Sequence, residues 1–168
     1  MGSFNQNVPL SKVFSTILAF CVALGFGFWR MKRNEARKEI YQVMQKHATI
    51  LPKAERLHPE SAIKNAQGVQ AIILLKERTD FISREIGAMS TSMGNCPDDF
   101  TYCFQQYRRA ICELEEAVNN LHKVATSKKV KPEKLQNAME EAAEAEKAGK
   151  NAWEKVVASA KKYGLKVQ

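Results

Sequence analysis

Acid is missing from the start of this chain. In this chain of 168 residues no Asp or Glu precedes Glu35, and the first 29 hold one base, Lys12. Glycine, at 8, and proline, at 5, are too scarce for a fold of many short strands joined by turns. The 4 cysteines form no CxxC or paired framework, which excludes a disulfide scaffold and a zinc ribbon. His47, His58 and His122 give no HExxH or other metal spacing, and their charged neighbourhoods predict surface positions. GxGxxG, GxxxxGK[ST] and GxSxG motifs are missing too. Adjacent acids such as Glu115-Glu116 and Glu140-Glu141 point about 100° apart on a helix and read as solvated surface. The reading is of a non-catalytic protein with no catalytic, cofactor-binding or metal residue, no cofactor and no small-molecule substrate.

From Val13 to Trp29 runs VFSTILAFCVALGFGFW, 17 residues without a charge. As a helix it covers about 25 Å, slightly short of a hydrocarbon core of about 30 Å. Leu10 can lengthen it, and Lys12 can snorkel along its aliphatic stem. Three other readings compete. A cleaved signal peptide would be cut after Ala23-Leu24-Gly25, leaving an apolar start. A buried core helix would be apolar on one face, whereas this segment is apolar all round. Myristoylation at Gly2 would want Ser or Thr where Gln6 stands. The preferred reading is one transmembrane helix over 13–29, preceded by a short tail over 1–12.

Downstream come Arg30, Lys32, Arg33, Arg37 and Lys38, diluted by Glu35. Such a cluster stays on the side that anionic lipid and the membrane potential favour. The N-terminus is expected to cross, with residues 30–168 remaining behind and Trp29 at the interface. Ser15, Ala19, Ala23 and Gly27 recur every four residues, a small-residue row that lets a partner helix approach within the membrane. Thr16 and Gly25 are small as well and lie off that row.

The rest reads as all-α. A basic juxtamembrane helix covers 30–51, with Ala36, Ile40, Val43/Met44, His47 and Leu51 at helical spacing and Pro52 as its stop. A helical bundle covers 59–164 and a short tail 165–168. The bundle's first helix starts near Pro59 and carries Gly68 as an interior cost of about 1 kcal/mol. Its run Ala71-Ile72-Ile73-Leu74-Leu75 is wider than one stripe and predicts the most buried helix. A Ser/Thr/Gly/Asn linker over 90–97 leads to Asp98 or Asp99 as an N-cap. Phe104, Tyr107, Ile111, Leu114, Val118 and Leu121 follow in steps of three and four, a coiled-coil seam. The last helix begins at Pro132, stops near Gly164, and offers Trp153 as its large anchor. Matched lengths and a short last connection predict an antiparallel three- or four-helix bundle behind a single N-terminal transmembrane helix.

Cys21 lies in the span. Cys103 and Cys112, about 13 Å apart along one helix, cannot bridge. Cys96–Cys103 is the pair that an oxidising space would join, while unpaired thiols fit a reducing compartment better. The bases at 30–38 and 123–131 carry no interleaved aromatics, so membrane surface and protein contacts are expected rather than nucleic acid.

The layout resembles that of accessory subunits in large organelle or bacterial membrane complexes: one span, a basic boundary, a helical body and no site. That resemblance implies a structural accessory subunit, in the mitochondrial inner membrane with its C-terminal domain on the matrix side. The ER or a bacterial inner membrane, with a cytosolic domain, is the alternative setting. The expected partners are other subunits of the complex, the bilayer and its anionic headgroups. A membrane-anchored tether or adaptor that recruits a soluble protein is the alternative function.

Overall fold

The structure, a computed structural model, describes the backbone of residues 10–89, 93, 94 and 96–166, with side chains from Arg30 onward. The described residues form five helices: α1 (Leu10–Leu57), α2 (Glu60–Asn65), α3 (Val69–Met89), α4 (Asp98–Ala125) and α5 (Pro132–Lys162). No strand occurs among the described residues. The chain divides into two units, Met1–Glu35 and Ala36–Gln168. In the first, residues 10–29 are described only as helical backbone, so the small-residue row and the anchoring role of Trp29 lie outside the described side chains. The second unit holds the bundle.

Several element ends differ from expectation, each for a local reason. Pro52 lies inside α1, which continues to Leu57. A proline removes one backbone donor and crowds the preceding turn; here burial of Ile50 and Ala54 on either side holds the helix together. Two helices replace the single one expected from Pro59. Ala66 is extended, with φ −74° and ψ 149°, and Gly68 sits at φ 56°, a left-handed conformation that glycine adopts without a Cβ clash. Neither Asp98 nor Asp99 caps α4, since Pro97 occupies the cap position and makes no side-chain cap bond. Pro132 does open α5, and Gly164, at φ 77°, follows its end.

The core has two levels. At the first, Ile40, Val43, Met44 and Ile50 of α1 meet Ile86 and Met89 of α3, Phe100, Phe104, Tyr107 and Ile111 of α4, and Val156 and Ala160 of α5. Phe100 and Phe104 are at most 1% exposed. Burying a side chain of this size contributes about 1.5–3 kcal/mol. At the second level, Val118 and Leu121 of α4 meet Ala138 and Ala142 of α5, with Ile72 and Leu75 of α3 against them. No α1 residue joins this second cluster. The bundle is therefore four-helical at one end and three-helical at the other.

Helices α3, α4 and α5 run antiparallel, each to the next. The start of α3 packs near the end of α4, and Ser83 donates a hydrogen bond to Glu115. Asn120 of α4 donates to Glu141 of α5 at 3.1 Å. Where α4 begins and α5 ends, Asp99 accepts hydrogen bonds from Tyr163 at 2.7 Å and Ser159 at 3.5 Å. Between α1 and α3, Arg78 reaches Glu55 at 2.9 Å and the His58 carbonyl at 3.3 Å.

The α3 run Ala71–Leu75 is half-buried throughout rather than the deepest part of the molecule. The buried residues of α3 are Thr79, Ser83, Ile86 and Met89. The run is apolar on too many sides for the two neighbours, α4 and α5, that share its level.

Candidate functional site

Three helices converge at one aromatic cluster. Position 47 belongs to the buried face of α1, with Ile40, Val43, Met44, Ile50 and Ala54. Helical spacing thus turns His47 inward despite its neighbour Lys46, and it is 5% exposed. The surface position expected for it is corrected accordingly. Its ring stacks on Trp153 of α5, with centroids 3.7 Å apart and planes 18° from parallel. Its Nε2 lies 2.9 Å from the Tyr107 hydroxyl of α4. The tautomer with its proton on Nδ1 accepts from that phenol. Phe104 extends the cluster, 6.0 Å from the Tyr107 ring in an edge-on arrangement.

Burial lowers the His47 pKa to about 4 and pushes the Tyr107 phenol up. At neutral pH both groups are uncharged. The imidazole's face and Nε2 are both taken by this chain's own side chains. This arrangement can fix α1 against α4 and α5, and its chemistry is that of a packing and hydrogen-bonding anchor.

A different surface lies on the first half of α5. A shallow groove of about 490 Å³ is lined by Pro132, Leu135, Gln136, Met139, Glu140 and Ala143. Four of the six are apolar, and they recur at three- and four-residue steps. They form a second stripe on α5, beside the buried one of Ala138, Ala142, Gly149 and Val156. Met139 is 55% exposed. Glu140 is the one charged residue of its lining.

The residues singled out in the sequence fall in separate places. Of the bundle seam, Phe104, Tyr107, Ile111, Val118 and Leu121 are buried, while Leu114 and Trp153 are half-buried. The structure brings Trp153 to Tyr107 at 5.1 Å between centroids. The side chains of Arg30, Lys32, Arg33, Arg37 and Lys38 are exposed. Cys96, Cys103 and Cys112 are free thiols, so the Cys96–Cys103 bridge is not formed. Cys96 packs against the first-level core, and burial pushes its thiol up to about 11. Ser15, Ala19, Ala23 and Gly27 lie outside the described side chains, as does Cys21.

The sequence puts His47 at helical spacing with Ile40 and Val43/Met44, but its charged neighbours predict a surface position, and the second stripe of α5 is not separated there from the buried one. The helical spacing of His47 from Val43, Met44 and Ile50 was the available signal for its inward turn. The recurrence of Leu135, Met139 and Ala143 was the signal for the second stripe.

Among the described residues no helix is long and apolar enough to cross a membrane, and no group of His, Cys, Asp and Glu could hold a metal ion. No family model, curated protein or solved structure matches the chain.

Proposed function

We propose that this protein is a non-catalytic, single-pass subunit of a larger membrane assembly, anchored by residues 13–29 and presenting its helical bundle at the membrane surface. The uncharged sequence from Val13 to Trp29, followed by five bases within nine residues, carries this reading. The helical backbone of that stretch is compatible with it. A helix satisfies its backbone hydrogen bonds internally, as hydrocarbon demands. The basic flank favours the side of anionic headgroups. An energised organelle membrane, as in the mitochondrial inner membrane with the bundle facing the matrix, fits the lack of acid before Glu35 and the bases after Trp29.

Alkaline carbonate extraction tests the anchor. The full chain is expected in the membrane pellet, and recovery in the supernatant would overturn the reading. Mild detergent followed by a native gel tests the assembly. Migration at the size of a large complex is expected, and a free species near 19.0 kDa would overturn that part.

The exposed stripe on α5 favours a second reading, that of a tether recruiting a soluble protein. A partner released by a salt wash, with the chain itself left in the pellet, would select the tether. A partner that needs detergent for release would select the membrane subunit.

A further inference from the structure

We draw no further inference here: the strongest candidate, the shallow apolar groove around Met139 on the first half of α5, carries none because nothing in the structure shows what covers it.

Discussion

His47 makes the stability of the bundle depend on pH in a window where few other side chains titrate. Its imidazole has an ordinary pKa of 6.5 and is lowered to about 4 by burial between Trp153 and Tyr107. The unfolded chain therefore takes up a proton below pH 6.5 that the folded chain refuses until near pH 4. Stability from this residue is complete above the unfolded value and is lost as the solution is acidified towards the folded one. At about 1.4 kcal/mol per pH unit, the loss between pH 7 and pH 5 is about 2 kcal/mol. Urea unfolding of the full chain in detergent, followed by circular dichroism at a series of pH values, measures this loss. The His47→Phe variant isolates the residue. Phenylalanine keeps an aromatic ring against Trp153 but leaves the Tyr107 hydroxyl without its partner, at about 1–3 kcal/mol at pH 7. The wild type starts more stable and should lose its advantage by pH 5. Parallel wild-type and variant curves from pH 7 to pH 5 would refute the burial argument.

Three further outcomes follow from single contacts. Asp99→Ala removes the acceptor for Tyr163 and Ser159; about 1 kcal/mol should be lost, with faster amide exchange in the last turn of α5 than in its middle. Gly68→Ala meets no atom within 4 Å but forces a Cβ into φ 56°, so a destabilisation of about 1 kcal/mol should appear in the same urea titration. With a chromogenic disulfide reagent at pH 8, the exposed Cys112 should react quickly. Cys96 should react slowly, because its thiol is half-buried and its pKa is raised to about 11.

Much of the bundle is legible in the sequence because its signals are local. The steps from Phe104 to Leu121 describe one face of one helix, and that face is largely buried. Pro132 and Gly164 punctuate α5 through their own backbone preferences. Other features depend on neighbours that the sequence does not align. Pro52 reads as a stop, yet the burial of Ile50 and Ala54 carries the helix past it. Gly68 reads as a tolerated helical residue, whereas α2 and α3 separate there. Ala71 to Leu75 reads as deep core, but its exposure depends on how far α1 extends, and α1 ends at Leu57. His47 finds its partners 60 and 106 positions further along the chain, so only the assembled bundle shows why an imidazole sits inside it. The exposed stripe of α5 was hidden for a related reason. Its apolar residues share a helix with the buried alanines, and spacing alone does not tell a covered stripe from a bare one.

The stacking of His47 on Trp153 also sets an order of events during synthesis. The helix that carries the imidazole is among the first parts of the chain to leave the ribosome, and the indole that covers it is among the last. Until then one flat side of that ring is wet, and α1 has no contact with α5 to hold it in register. Assembly of this bundle is thus completed from the C-terminus. Chains released early would expose the inner face of their oldest helix, and quality control that recognises bare apolar helices would find them there.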